Sequence, residues 1–484
     1  MFEIALDCAR ISISMFELDL SYSILLVLCL VAACAFEFVN GFHDTANAVA
    51  TVIYTNSLKP WVAVIWSGSW NFLGVLFGGV GVAMGIVNLL PVESLIDQNI
   101  AHSISMVMAL LISAIFWNLL TWYLGIPCSS SHTLIGSILG VGIAFSLLPD
   151  SQSAAVNWDK ASDIGVSLLI SPLFGFSITI ILMYLLRTLT KKTSYGDSLF
   201  KEPKKNAPPP LWIRIILILT CTSVSYYHGS NDGQKGVGLI MLILIGIVPV
   251  YFALDVRVSP TELNAPLHRI ERVMASLDPT PLSAPDEAVF TEVRTTNQHL
   301  LNSISQVHSV DDISKKERFA VRKDILLLDR HLKYLLEKDE LSVSAASRKI
   351  IKDDLKAVRK ITDYSPRWAI LMISLSLGLG TMIGWKRIVK TVGEKIGKEH
   401  LTYAQGASAE LVAASTIGLS TNLGLPVSTT HVLSSGIAGA MVASKGVKNL
   451  QGDTVRNILM AWLLTLPVVM ILSGSLFLLF RAIF

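Results

Sequence analysis

The chain has 484 residues, 52% of them hydrophobic and only 15% charged, with a mean hydropathy of +0.57. Soluble domains carry about a quarter charged residues, so this composition excludes one and points to a polytopic helical membrane protein. The net charge of +3 implies no nucleic-acid partner, because the basic residues sit in loops between apolar runs. The five cysteines, Cys8, Cys29, Cys34, Cys128 and Cys221, lack metal-ligand spacing and read as small buried hydrophobes. Residues 1–20 are acidic and the first apolar run lacks a small-residue cleavage pattern, so no cleaved leader is expected.

Runs long enough to cross about 30 Å of hydrocarbon recur along the chain. They predict spans at 21–56, 61–85, 103–124, 130–148 and 164–187. A second set follows at 211–254, 366–385, 402–422, 427–444 and 457–480, giving an all-α fold of about ten crossings. The first span holds Asn40-Gly41-Phe42-His43-Asp44-Thr45-Ala46-Asn47, which puts a histidine, a carboxylate and an amide at membrane depth. A charge there is costly, so it pairs, faces water or does work. Setting Asp44 on Asp232 brings His228-Gly229-Ser230-Asn231-Asp232-Gly233-Gln234-Lys235 under it, at an offset of 232 − 44 = 188. Two polar, glycine-containing breaks at matching places in two halves point to a transporter site built from discontinuous helices.

A second pair repeats the division. Gly125-Ile126-Pro127-Cys128-Ser129-Ser130-Ser131-His132 returns as Gly424-Leu425-Pro426-Val427-Ser428-Thr429-Thr430-His431, offset by 426 − 127 = 299. Kept without gaps, that offset matches Gly79 with Gly378, Gly81 with Gly380, Gly85 with Gly384 and Gly140 with Gly439. The two offsets differ by 299 − 188 = 111, which requires an insertion in the second half. The expected plan is a first membrane repeat at 1–187, a basic cytoplasmic linker at 188–210 and the start of a second repeat at 211–255. An inserted soluble helical domain occupies 256–365, and 366–484 completes the repeat. Within the insertion, Leu328, Leu332, Leu335 and Leu336 form an apolar stripe, with Pro279, Pro281 and Pro285 marking a linker before it.

Lysine and arginine favour the cytoplasmic side in short loops. The basic link 187–214 therefore goes inside and the loop 86–101, with Glu93 and Asp97 and no base, outside. The counterpart of that loop, 386–400, carries Lys386, Arg387, Lys390, Lys395 and Lys398 and goes inside, so the repeats are inverted and both termini lie outside. Arg257, Arg359, Lys360 and Arg367 around the insertion argue for inside and parity for outside; long loops escape the charge rule, so parity decides.

The clusters Ser129-Ser130-Ser131 and Ser428-Thr429-Thr430 each follow a proline and open an apolar helix. A helix N-terminus offers free N–H groups and a positive dipole end, and hydroxyls add donors without charge. Two such ends related by inversion fit one tetrahedral anion, with Asn47, Asn231 and Lys235 as further contacts. Lys235, which replaces Asn47 in the repeat, serves equally as an anion contact or as the partner of Asp232. Asp44 and Asp232 would repel an anion unless they hold a cation or a proton, which assigns them to coupling. His43 and His228 are relay candidates, and Glu37 and Glu410 are lone carboxylates within spans that join the coupling set. His132 and His431 read as neutral residues that fix their loops. No phosphate-binding GxxxxGK[ST] loop, HExxH or CxxC spacing is present, so neither an enzyme nor a cofactor is expected, and no metal ligands are assigned.

Gly41-Phe42-His43-Asp44-Thr45-Ala46-Asn47-Ala48 resembles the duplicated GANDVANA-type signature of the inorganic phosphate transporter (Pit) family, and Gly229-Ser230-Asn231-Asp232 its second copy. The Gly-x-Pro-x-Ser-[Ser/Thr]-[Ser/Thr]-His elements resemble that family's other repeated motif. The resemblance implies an inverted-repeat bundle, often dimeric, in the bacterial inner membrane. It also implies proton-driven import of inorganic phosphate as a neutral complex with a divalent metal such as magnesium or zinc. His43 departs from the signature's asparagine, and Gln234 and Lys235 stand where the second copy often has Ala or Ser and Asn. Lys235 removes a neutral oxygen ligand and so favours protons over sodium. Sodium-coupled phosphate or sulfate transport by the same family remains an alternative. So does a membrane-embedded hydrolase using Ser131–His132 or Thr430–His431.

Overall fold

Apolar runs form long helices, two of which continue through an internal proline (Pro172 and Pro467), and glycine in left-handed backbone ends others. The structure, a computed structural model, describes residues 16, 18–90, 100–148, 156–204, 207–305, 307–338 and 341–483. The first half contains α1 (Leu20–Tyr54), α2 (Pro60–Phe77), α3 (Gly81–Val87), α4 (Ile100–Leu124), α5 (Ser130–Ser146), α6 (Trp158–Thr190) and the short α7 (Ser194–Leu199). Then come α8 (Leu211–Ile247), the single turn α9 (Pro249–Phe252), and α10 (Asn264–Ala275), α11 (Ala284–Ile304), α12 (Lys315–Leu336) and α13 (Ala345–Arg359). The chain finishes with α14 (Arg367–Thr381), α15 (Lys386–Glu394), α16 (Tyr403–Asn422), α17 (Thr429–Lys445) and α18 (Gly452–Ile483).

The two aspartate motifs do not break their helices. α1 runs for 35 residues and α8 for 37, each straight through its motif. Neither motif contains proline, and each glycine costs only about 1 kcal/mol relative to alanine, so backbone hydrogen bonding continues. The interruptions lie elsewhere. Gly79, with φ +82°, separates α2 from α3, and α14 and α15 meet at a 66° bend beside Gly384, with φ +75°. Gly125 and Gly424, both at φ +69°, end α4 and α16. In each case the next residue closes a six-residue loop: Ile126 N–H donates to Thr121 O at 3.0 Å and Leu425 N–H to Ser420 O at 2.9 Å.

Among the described residues, α1, α2, α4, α6, α8 and α18 are long and apolar enough to cross a membrane, and the bent pair α14–α15 passes together. Hydropathy alone suggested about ten crossings. The difference lies largely in α5 and α17, whose 17 residues span about 25 Å, less than the hydrocarbon thickness. The expected loop 386–400 opens as the helix α15, while Glu93 and Asp97 lie outside the described residues.

The chain divides into two compact units. One comprises 18–243 and 365–484. Within it α17 packs on α6, α18 on α5, and α14 on α1 and α2. Helices approach closely at glycines, and the contacts are reciprocal. A Cβ on Gly74 would meet the Tyr226 carbonyl, and one on Gly380 the Phe38 carbonyl. Gly229 faces the Asn71 carbonyl as Gly41 faces that of Leu377, and Gly78 faces Ser230 as Gly384 faces Phe42. These contacts pair α2 with α14 at 380 − 74 = 306, where the gapless alignment used 299. Seven residues is about two helical turns, so the shifted alignment still placed glycines on the right face.

The other unit comprises Leu244–Tyr364, onto which Phe16 packs. It starts ahead of the insertion expected at 256. Leu328, Leu332, Leu335 and Leu336 are buried in its core with Leu267, Phe290, Ile351 and Leu355. Pro285 lies in the first turn of α11, so the proline-rich stretch joins α10 to α11 instead of preceding the bundle. The two ends of the unit are tied together. Asp255 N–H donates to Ile361 O at 2.8 Å, and the buried Arg322 donates through Nη1 to Ala253 O and Thr362 O, both at 3.0 Å.

Candidate functional site

Every residue the sequence singled out for anion binding or coupling is at most 2% exposed. The centre is Asp44 on α1. Thr430 on α17 donates to its Oδ1 at 2.5 Å, and Ser130 on α5 donates to its Oδ2 at 3.1 Å. Ser130 Oγ also reaches Asp232 Oδ2 on α8 at 3.4 Å. One hydroxyl thus touches both motif aspartates, and the starts of α5 and α17 converge on one carboxylate. Unneutralised like charges this close would repel in a low-dielectric interior, so the arrangement requires cations or protons.

Two histidines and one lysine surround the aspartates. His43 Nδ1 lies 3.4 Å from Asp44 Oδ1, while its Nε2 meets Thr121 Oγ1 at 3.2 Å. His228 Nε2 sits between the aspartates, 3.8 Å from Asp44 Oδ2 and 3.7 Å from Asp232 Oδ2. The other nitrogen of His228 is held at 2.7 Å by Asn71 Oδ1 on α2, and Asn71 in turn donates to Thr381 at 3.2 Å. Lys235 Nζ lies 2.7 Å from Asp232 Oδ1 and also donates to Ser131 Oγ and to Val427 O. Lys235 thus pairs with Asp232, one of the two roles the sequence left open. Asp44, His228 and Asp232 offer ligand atoms within 4.8 Å of one another, a spacing that fits a metal ion.

Each hydroxyl cluster divides its labour. Ser129 and Ser428 are N-caps whose Oγ atoms accept the backbone N–H of His132 and His431. Ser130, Ser131 and Thr430 contact the carboxylates or Lys235, and Thr429 Oγ1 is buried with no hydrogen-bond partner. Asn231 anchors the second loop, donating to Thr421 at 3.0 Å and to Leu425 O at 3.2 Å while its Oδ1 accepts Val427 N–H at 3.2 Å. Asn47 donates to Thr430 at 3.0 Å, leaving its Oδ1 unpartnered. His132 and His431 lie with ring centres 4.6 Å apart and planes tilted by 36°, and His431 stacks on Trp462 at 3.8 Å.

Two candidates stand apart. Glu37 accepts from Asn40 at 3.1 Å and lies against Gly236 of α8. Glu410 on α16 accepts from Thr220 at 2.5 Å and shares no bond with the Asp44–Asp232 group. Sequence reasoning missed Asn71, Thr121, Thr421 and Trp462. Asn71 could have been found as a lone amide in an apolar run; the threonines carried no such signal, because single hydroxyls are satisfied by their own helix.

The Phosphate transporter family model matches residues 40–473. The chain is 40% identical to the low-affinity inorganic phosphate transporter PitA of Escherichia coli strain K12, over 95% of this chain and 97% of that one. It is 39% identical to PitB of the same strain, with the same coverage. A low-affinity inorganic phosphate transporter of Buchnera aphidicola subsp. Acyrthosiphon pisum is 40% identical over 95% of this chain and 97% of its own. A solved sodium-dependent phosphate transporter aligns with a TM-score of 0.55 at 21% identity, covering 95% of this chain and all of that one, a likeness of fold alone.

Proposed function

The chain belongs to the phosphate transporter family, and from that premise we propose that it imports inorganic phosphate by proton symport, the phosphate moving as a neutral complex with a divalent metal. It is an inorganic phosphate transporter and a membrane protein; its relatives are named as transporters, not as enzymes. The observation that carries the finer reading is the meeting of two hydroxyl clusters on two aspartates, with Ser130 touching both and Thr430 holding Asp44. Carboxylates flanked by histidines can exchange a proton, and the Asp44–His228–Asp232 group has the donor set for a divalent ion arriving with its anion. The reciprocal glycine contacts support two repeats of opposite orientation. The bacterial inner membrane is the site this reading assigns, and a homodimer the assembly.

A hydrolase reading is not favoured. Ser131 Oγ donates to Val427 O and Thr430 Oγ1 to Asp44, so neither hydroxyl is paired with its neighbouring histidine. Uptake of labelled phosphate into proteoliposomes tests the proposal. Proton gradients should drive accumulation, magnesium should stimulate it, and sulfate should compete poorly. Accumulation driven by sodium alone would overturn proton symport, and release of phosphate from an ester would revive the hydrolase. Impermeant thiol labelling of single cysteines at 93 and 395 should mark opposite faces; labelling from one face would refute inversion.

A further inference from the structure

The two aspartate motifs are equivalent in position but not in charge. Asn47 follows Asp44 by three residues and Lys235 follows Asp232 by three. Their contacts correspond as well. Asn47 Nδ2 donates to Thr430 of the second cluster, and Lys235 Nζ donates to Ser131 of the first; 430 − 131 = 299 is the offset that relates the clusters. The Lys235 ammonium therefore stands against oxygens of three kinds: the Asp232 carboxylate at 2.7 Å, the Ser131 hydroxyl, and the Val427 carbonyl at 3.2 Å. An all-oxygen set containing one carboxylate is what a hard cation selects. In the first half an amide takes the place of the ammonium, and its oxygen, Asn47 Oδ1, is buried without a partner.

We propose that Lys235 is a tethered cation. Its ammonium fills, within the protein, the place that a free monovalent ion would otherwise take beside Asp232, so the second half presents a neutralised carboxylate without drawing an ion from the gradient. The coupling ion is then handled on the Asp44 side alone. This rests on the reading of the cluster as the transport site. It makes Lys235 a specificity-determining residue for the coupling ion and removes it from the anion contacts expected from sequence. The electrostatic logic is strict, because both partners are almost fully buried. Removing one member of such a pair leaves the other's charge uncompensated, whereas removing both does not.

Lys235→Asn recreates in the second half the carboxylate, amide and hydroxyl of the first. Labelled phosphate uptake by proteoliposomes of this variant is compared in choline chloride and in sodium chloride, with labelled sodium followed in parallel. In choline the variant should lose about tenfold or more of the parent's uptake, since Asp232 is left bare. Sodium should restore most of it and enter with the phosphate, while the parent takes up no labelled sodium. Lys235→Arg, which keeps the tethered charge, should retain more sodium-independent uptake than Lys235→Asn. Parental uptake by Lys235→Asn in choline overturns the proposal, and so does a loss that sodium does not relieve. If Lys235→Asn yields no monodisperse protein, Lys235→Gln, closer in size, takes its place under the same two conditions: uptake that sodium restores supports the tethered cation, and a loss that sodium does not relieve overturns it. A parent that moves no phosphate would instead overturn the transport reading itself, so the two failures are distinguishable.

Discussion

Two interiors in this molecule hold charge, and they treat it differently. In the unit 244–364, the buried guanidinium of Arg322 binds two carbonyls that belong to the unit's two ends, Ala253 O and Thr362 O. That charge serves closure. In the membrane unit, Asp44, His228, Asp232 and Lys235 are equally buried but crowd one place, where Thr429 Oγ1 and Asn47 Oδ1 have no hydrogen-bond partner. Four ionisable groups crowded against the hydroxyls of two helix starts favour the binding-site reading proposed above, whereas a single charge closing two chain ends favours a structural one.

The comparison breaks most sharply at Asp44. Asp44→Asn should abolish accumulation of phosphate against a gradient while the protein still inserts, because Thr430, Ser130 and two histidines converge on that carboxylate. Undiminished proton-driven accumulation by the variant would mean that its charge is structural, like that of Arg322.

The hydroxyls sharpen the contrast within the site. Thr429→Ala and Ser130→Ala should each raise the half-saturating phosphate concentration by about tenfold to a hundredfold, the worth of one hydrogen bond to a charged group. Since Thr429 Oγ1 has no protein partner, its loss should leave thermal stability unchanged, whereas Ser130→Ala also disturbs the two aspartates. The effects should not simply add if one anion meets both. Wild-type concentration dependence after replacing a whole cluster with alanine would reduce that cluster to a helix cap.

Arg322→Met should act in the opposite sense. It should lower the stability of the inserted unit by about 3 kcal/mol, since two carbonyls lose a charged donor, and leave the half-saturating phosphate concentration alone. Faster hydrogen exchange in peptides covering 250–256 and 358–364, with unchanged transport affinity, is the expected pattern. A shifted affinity would show that this charge too belongs to the transport machinery.

The smallest effect is at the rim of the same unit. The Ser283 hydroxyl, then the Tyr334 hydroxyl and Lys338, hold the Asp286 carboxyl down at about 2. Its folded value lies below the ordinary carboxylate value of about 4, so its contribution is present above about pH 4 and lost as pH falls through about 2. Melting of the wild type and of Asp286→Asn, followed by circular dichroism, should differ at about pH 5 and converge at about pH 2. A gap that persists at low pH would put the effect in packing instead.

The sequence alone determined where most membrane helices lie, because apolar length acts locally: the ten expected segments reappear as α1 to α6, α8, α14 and α16 to α18, with ends shifted by up to seven residues, whereas α15 forms where a loop was expected. It also located the motifs, since a carboxylate in an apolar run is conspicuous without any partner in view. It misjudged their backbone, expecting breaks at Asp44 and Asp232 where the helices run through, because polar side chains and single glycines do not by themselves interrupt a hydrogen-bonded helix. Only the tertiary structure decided how α2 pairs with α14, since a slip of about two turns preserves the helical face and is invisible to a pattern of glycines. Only it showed which oxygens Lys235 meets. A flexible ammonium takes whichever oxygens the fold brings to it, and the Asp232 carboxylate, one turn away, meets the Ser131 hydroxyl and the Val427 carbonyl only when α5 and the loop before α17 close on α8.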